Sequence, residues 1–258
     1  MKQVLVTGSD GQLGLSLQEI SEEFKGISLS FTTKDDLDIT KADEVRHWFG
    51  KGPYDYCINC AAFTNVDQAE KTPEAAFELN AEALKLLAQE ARSKGTVLIH
   101  ISTDYVFDGD QKEGYKPDDQ PNPINQYGMS KLKGEEYIRS ILERYVIIRT
   151  SWLYSEYGHN FYKTILGKAR AGESLTVTDA EVGCPTNANH LARYILEKIA
   201  SGENWQGTYH YTDGVSMSWY EFAKEILKEN GLQNELKILP EIKNKRPARR
   251  PKYSILLT

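Results

Sequence analysis

Tyr127 and Lys131 lie four residues apart in the run Gln126-Tyr127-Gly128-Met129-Ser130-Lys131. On a helix that spacing sets both side chains on one face. An ammonium beside a phenol stabilises phenolate and lowers the phenol's pKa. A tyrosine tuned in this way can pass a proton near neutral pH. Both residue types are common, and an amphipathic surface pair satisfies the pattern equally well. Two distant segments ask for the same chemistry.

The first is the amino terminus. Lys2 to Thr7 reads K-Q-V-L-V-T, a β-branched and apolar run suited to a buried strand. Gly8-Ser9-Asp10-Gly11-Gln12-Leu13-Gly14 follows, and Leu13, Leu17, Ile20 and Phe24 continue at helical spacing. Strand, glycine turn and helix in this order let the backbone approach a pyrophosphate closely. The helix amino terminus then offers free N–H groups to the anion. The spacing is G-x-x-G-x-x-G, so a purely structural turn is the competing reading.

The second segment is Leu98 to Asp108, L-I-H-I-S-T-D-Y-V-F-D. Val97 to Ile101 suit a buried strand, which places Ser102 and Thr103 at its carboxyl end, where ligands bind in open α/β sheets. A hydroxyl there can polarise a carbonyl oxygen. A helix cap or turn would also use these residue types.

The elements that must position these groups alternate. Strands are expected at 3–7, 27–32, 55–61, 96–102 and 145–150, and helices near 12–24, 41–50, 73–94 and 126–143. Pro73 is tolerated at the start of the third helix. Such alternation predicts an α/β chain with a doubly wound parallel sheet. After residue 150 the texture changes to an aromatic loop region with Trp152, Tyr154, Tyr157, His159 and Phe161. A helix over Asn160 to Ala171 follows, then a short strand at Leu175 to Val177 and a bend at Gly183 to Thr186. Helices near 187–201 and 218–230 flank a strand at Gly207 to Tyr211 that returns to the main sheet.

Glycine loop, strand-end hydroxyl and Y-x-x-x-K, in that order, resemble the extended short-chain dehydrogenase/reductase family. Finer segments resemble its dTDP-4-dehydrorhamnose reductases: Gly11 to Gly14, Leu37 to Thr40, Asn59 to Asp67, Ser102 to Gly109, Arg149 to Tyr154 and Arg249 to Pro251. The resemblance runs from about residue 3 to residue 255. It implies a Rossmann-like NAD(P)-binding domain over 1–150, joined by about 187–213, and a smaller discontinuous substrate lobe over 151–186 and 214–258.

It also implies roles. Tyr127 would deliver a proton to a C4 keto oxygen, Lys131 would lower the tyrosine's pKa and hold the nicotinamide ribose, and Thr103 would bind the same oxygen. Gly8, Gly11, Gln12, Leu13 and Gly14 would hold the cofactor's pyrophosphate. Asp38 and Ile39 resemble the adenine contacts, and Ala61, Ala62, Phe63 and Thr64 the lining of the cofactor's middle. Asn80 resembles a position that steadies the pocket. Asp104, Tyr105, Phe107 and Trp152 resemble the sugar and nucleotide wall. Residues 243–252 carry six cations, of which Arg249 and Arg250 resemble a diphosphate clamp; a basic tail is the bland alternative.

NAD enzymes usually carry an acid at the end of the second strand. Phe31-Thr32-Thr33-Lys34 stands there instead. A hydroxyl and Lys34 suit a 2′-phosphate, so NADPH is favoured, with NADH as the alternative. Some family members are magnesium-linked dimers through glutamates, one of them just after the last glycine of the loop. Leu15 and Ser16 stand there, so no metal site is carried over; a homodimer is compatible with the resemblance. Relatives usually continue past the position of Thr258 into a final helix, which implies a shortened carboxyl end.

Composition narrows the classes. With 31 basic and 37 acidic residues the net charge is −6, which points away from nucleic acid. A mean hydropathy of −0.53 and the lack of a long apolar run point away from a membrane span. No charged segment leads into an apolar one at the amino terminus, so a cytoplasmic protein is expected. Cys57 and Cys60 are formally C-x-x-C, but they fall inside an expected strand with no partner set. They read as buried thiols, and His100 as a core residue behind Thr103. Two other functions fit part of the pattern: a non-catalytic partner like the regulatory subunit of methionine adenosyltransferase, and another nucleotide-sugar reductase or epimerase.

Overall fold

A computed structural model describes residues 1–233, 238–241 and 246–258. The first half alternates as the periodicity demands. Strands β1 (Lys2–Thr7), β2 (Ile27–Thr32), β3 (Tyr56–Asn59), β4 (Val97–Thr103) and β5 (Tyr145–Thr150) are separated by helices. These are α1 (Gln12–Ile20), α2 (Ala42–Gly50), α3 (Val66–Lys71), α4 (Pro73–Phe77), α5 (Ala83–Lys94) and α6 (Gln126–Ile141). The second half adds β6 (Leu153–Tyr154), α7 (Phe161–Arg170), β7 (Leu175–Thr178), β8 (Val182–Gly183), β9 (Thr186–Asn187) and α8 (Ala188–Ser201). It ends with β10 (Gly207–His210), β11 (Met217–Ser218), α9 (Trp219–Glu229), β12 (Ile238–Glu241) and β13 (Tyr253–Ser254).

Six strands form one sheet in the order β10-β5-β4-β3-β1-β2, every pair parallel. The class and the doubly wound sheet are therefore as expected. Side-chain alternation sorts each strand between two apolar layers. Val4, Val6, Ile58, Ile99, Val146 and Ile148 face α1 and α8, while Leu5, Cys57, Leu98 and Ile147 face α2, α5 and α6. The strand order reverses between β1 and β3, so the crevice at their carboxyl ends is the natural ligand site.

Element boundaries differ in instructive ways. The helix expected at 73–94 is broken by a wide π turn at Glu78–Glu82. This turn brings the Asn80 carbonyl against α6 at Gly134, where a Cβ would lie 2.1 Å from that oxygen. The strand expected at 55–61 stops at Asn59, which leaves Cys60 and Ala61 to line the crevice. Helix α3 was not anticipated: six residues with one buried alanine carry almost no periodic signal.

A third apolar cluster gathers Ile165, Leu166, Ala169 and Val177 with Phe222, Ala223, Ile226 and Leu227 from α9. Short sheets β12-β7, β11-β8-β13 and β6-β9 complete this part. Helix α9 starts with a capping box: the Ser218 hydroxyl accepts from the Glu221 N–H, and the Glu221 carboxylate accepts from the Ser218 N–H. No helix of the described residues is long and apolar enough to cross a membrane.

Candidate active site

The glycine turn sits at the carboxyl end of β1. Gly8 has φ +64°, and a Cβ there would lie 2.6 Å from the Ala61 nitrogen. Only glycine meets both demands. Gly14 packs as closely on Ser9, with a Cβ at 2.4 Å from its Cα. Gly14 therefore seats α1 rather than facing the crevice. Gly8 and Gly11 line a cavity of about 500 Å³ together with Lys34, Leu37, Asp38, Ile39, Ala61, Ala62 and Phe63.

An adjoining cleft of about 550 Å³ shares Gly11, Cys60 and Ala62 with it. Its lining includes Gln12, Leu13, Thr64, Thr103, Asp104, Tyr105, Tyr127, Lys131 and Trp152. Residues from at least six separate stretches of the chain thus meet in one continuous groove.

Within the groove, Tyr127 and Lys131 ride on α6, whose first turn is capped by the Asn125 side chain accepting from the Gly128 N–H. Gly128 lets the Tyr105 carbonyl approach, where a Cβ would lie only 2.1 Å away. The rings of Tyr105 and Tyr127 meet edge to face at 5.9 Å. Thr103 Oγ1 donates to Asp104 Oδ1 at 2.9 Å and accepts from the Tyr105 N–H at 3.1 Å.

The expected lowering of the Tyr127 pKa by Lys131 is not found. Burial pushes the phenol up to about 12, the neighbouring Thr103 hydroxyl opposes this, and the Asp104 charge adds to it. Lys131 is itself pushed down to about 7 by burial, with Glu135 partly offsetting. Its amine points into the protein, 3.1 Å from His100 Nε2 and 2.6 Å from the Ile101 carbonyl. Thr7 Oγ1 donates to Asn59 Oδ1 at 2.6 Å, and Asn59 Nδ2 lies 3.1 Å from His100 Nδ1. Thr7, Asn59, His100 and Lys131 thus form one buried chain of polar contacts behind the cleft.

Other expected residues fall in different places. Phe107 does not reach the cleft: it is fully buried and stacked on Tyr115 at 4.2 Å. Asn80 is also buried; its side chain accepts from the Phe63 N–H, donates to the Phe63 carbonyl and donates to Ser130 Oγ. It fastens the Ala61–Thr64 stretch to α6. Gln12 Oε1 accepts from Ser155 Oγ and Asn160 Nδ2, tying the glycine loop to the second half of the chain.

Arg250 is engaged by Asp67 through two contacts at 2.9 and 3.1 Å. That pairing, first among its influences, holds the Asp67 carboxyl below its ordinary range. Arg249 is exposed. Lys243 and Lys245 of the basic run lie outside the described residues. Asp38 Oδ1 accepts from both the Thr40 hydroxyl and its N–H. The Thr33 hydroxyl donates to Asp36, whereas Lys34 enters no ion pair of the described residues.

Sequence reasoning missed Trp219 and Cys60. Trp219 also lines the cleft, its ring stacked on Trp152 at 3.6 Å. Trp152 adopts φ +48°, unusual for so bulky a residue. Gly183 lies beneath it, where a Cβ would be 2.5 Å from the indole. Neither tryptophan–glycine packing nor a left-handed tryptophan has a local sequence signal. Cys60 is half-exposed, and burial pushes its thiol up to about 12.

The whole chain, residues 1–258, matches the family model described as the RmlD substrate binding domain. The chain belongs to the RmlD family. Among family relatives it is similar to the spore coat polysaccharide biosynthesis protein SpsK of Bacillus subtilis, at 39% identity over 99% of this chain and 89% of that protein. It is also similar to a dTDP-4-dehydrorhamnose reductase of Aggregatibacter actinomycetemcomitans, at 37% identity over 93% and 83%. A solved dTDP-4-dehydrorhamnose reductase from Bacillus anthracis, in complex with NADP, superposes with a TM-score of 0.94 at 39% identity. That match covers 100% of this chain and 91% of the other.

Proposed function

We propose that this RmlD-family chain reduces the C4 keto group of dTDP-4-dehydro-L-rhamnose to give dTDP-L-rhamnose, a precursor of surface polysaccharide, with NADPH as reductant. The observation that carries this is the shared groove: Thr103, Tyr127 and Lys131 line one cleft that continues into the glycine cradle. The family relatives named for this reaction, and the NADP held by one of them, support it.

The chain fits a dinucleotide. Glycines stand where a Cβ would collide, and the free N–H groups at the start of α1 await an anion. Gly8, Gly11 and Leu13 would hold the pyrophosphate, Asp38 and Ile39 the adenine side, and Ala61 to Thr64 the middle. Lys34 is suited to a 2′-phosphate, so NADPH would be held more tightly than NADH. When bound, the nicotinamide supplies the hydride.

The chain's own groups do the rest. Tyr127 gives its proton to the alkoxide forming at C4, so that one O–H bond breaks as another forms. Thr103 and Tyr127 orient the keto oxygen. Lys131 contacts the nicotinamide ribose. Asp104, Tyr105 and Trp152 shape the sugar wall, and Trp219 backs Trp152. Arg249, which enters no ion pair of the described residues, would meet the diphosphate, since Arg250 is committed to Asp67.

We further assign residues 1–150 and 187–213 to the cofactor domain and 151–186 with 214–258 to the substrate lobe. The protein is read as cytoplasmic, without affinity for nucleic acid, and as a candidate homodimer. The test is NADPH oxidation, followed at 340 nm, with a panel of dTDP- and other nucleotide-linked 4-keto sugars. Turnover greatest with dTDP-4-dehydro-L-rhamnose supports the reading. Oxidation with none of them would make the chain a binding partner instead.

A further inference from the structure

Thr103 has a single hydroxyl proton, and it does not face the cleft. Its Oγ1 donates to Asp104 Oδ1 and accepts from the Tyr105 N–H. A threonine hydroxyl offers one donor and two lone pairs. One lone pair is spent on the Tyr105 N–H. In this arrangement Thr103 has committed its one proton to Asp104. It has nothing left to donate to a keto oxygen.

What holds the Thr103 proton is an unusual carboxyl. Asp104 is 2% exposed and forms part of the cleft lining. Its Oδ2 is buried without a hydrogen-bond partner. None of the ion pairs of the described residues includes it. The groups acting on it or feeling its charge are Tyr105 on its own turn, Tyr127 from α6, Cys184 between β8 and β9, and Ser254 from β13. All are uncharged at neutral pH. Arg250 and Arg246, which act on the Tyr105 phenol, are paired with Asp67 and Glu181. An unpaired buried carboxylate is costly, and such groups neutralise by taking up a proton.

We propose that Asp104 works as a protonated carboxylic acid that donates to Thr103 Oγ1 and so turns the Thr103 hydroxyl toward the substrate's keto oxygen. Asp104 keeps its proton throughout; only the direction of the Asp104–Thr103 hydrogen bond reverses. It is a positioning residue acting through Thr103. The inference rests on the reductase reading above. Burial, the largest influence, pushes the Asp104 carboxyl up to about 7, while the Ser254 and Thr103 hydroxyls pull it down. The acid form therefore prevails below neutrality. Above it, the carboxylate reclaims the Thr103 proton and the keto oxygen loses a donor.

The experiment measures kcat from pH 5.5 to 9.5 for the wild type, Asp104→Asn, Asp104→Leu and Thr103→Val, alongside isotope-edited infrared spectra of the aspartate carboxyls without substrate. Wild-type kcat should fall above about pH 7. Asp104→Asn, whose amide always donates, should lose no more than about tenfold at pH 6.5 and show a flat profile from there to pH 9. Asp104→Leu and Thr103→Val should each lose on the order of a hundredfold. The wild type should show a protonated carboxyl band at pH 6 that fades by pH 9 and is absent in Asp104→Asn.

An alkaline fall preserved in Asp104→Asn, or no protonated band at pH 6, overturns the inference. If Asp104→Asn does not fold, the wild-type band alone decides, by its presence at pH 6 and its loss by pH 9. If the band behaves as stated but the wild type reduces none of the 4-keto sugars, the reductase reading fails and the protonated Asp104 stands.

Discussion

Lys131 Nζ lies 3.1 Å from His100 Nε2, in a pocket where both side chains are almost wholly buried. With the Ile101 carbonyl at 2.6 Å, two of the amine's directions are taken by protein. On the proposed reading, the remaining direction would serve a hydroxyl of the nicotinamide ribose. His100 therefore aims the lysine. His100→Leu should lower kcat/KM for NADPH by about tenfold to a hundredfold, because small misplacements of a catalytic group carry penalties of this size. His100→Gln, which can still meet the amine, should recover roughly tenfold of that loss. Steady-state kinetics with thermal melts separate aim from folding; equal losses in both variants would argue against the aiming role.

Tyr127→Phe removes only the phenol oxygen and keeps the edge-to-face contact with Tyr105. Turnover should drop by about a hundredfold or more. NADPH affinity, read by quenching of protein fluorescence, should change little. A variant that turns over near the wild-type rate would remove Tyr127 from the proton-delivery role.

Lys34 is the cation at the end of β2 that enters no ion pair of the described residues. Lys34→Ala should raise the KM for NADPH by about tenfold, the worth of one charged contact with phosphate, and leave that for NADH within about twofold. Equal changes for both cofactors would place the 2′-phosphate elsewhere.

Glu135 is fully buried between Arg149 and Arg139, and it accepts from Ser102 Oγ at 2.5 Å. Burial is the largest influence on its carboxyl and pushes upward, but the arginines and Ser102 prevail and hold it below its ordinary range. Glu135→Gln strands the buried Arg149 charge. Chemical denaturation should show a loss of about 3–5 kcal/mol.

Lys131 also carries a stability signature. Its folded pKa of about 7 lies below the unfolded value of 10.5. Between those values the unfolded chain binds more protons, so stability rises with pH across that window. Below pH 7 the folded protein bears the full cost of the buried charge. Lys131→Met should therefore be the more stable protein at pH 6, by a few kcal/mol, with the advantage shrinking toward pH 10. Melting curves at several pH values check this, and a constant difference would mean the lysine is not strained by burial.

Local pattern told much about this protein. Period-2 strands, apolar helix stripes and a glycine turn next to a strand are short-range signals, and they yielded the parallel sheet and the groups at its carboxyl edge. The spacing of Tyr127 and Lys131 followed from helix geometry alone. Other properties were decided only when distant segments met. Phe107 turned inward because Tyr115 supplies a stacking partner. Asn80 reached Phe63 because a π turn carries it there. Lys131 met His100 rather than the phenol, and Thr103 spent its proton on a neighbour left without a counter-charge. Hydrogen-bond direction, desolvation and protonation state depend on which atoms surround a group in three dimensions, and those atoms come from stretches up to more than a hundred residues apart.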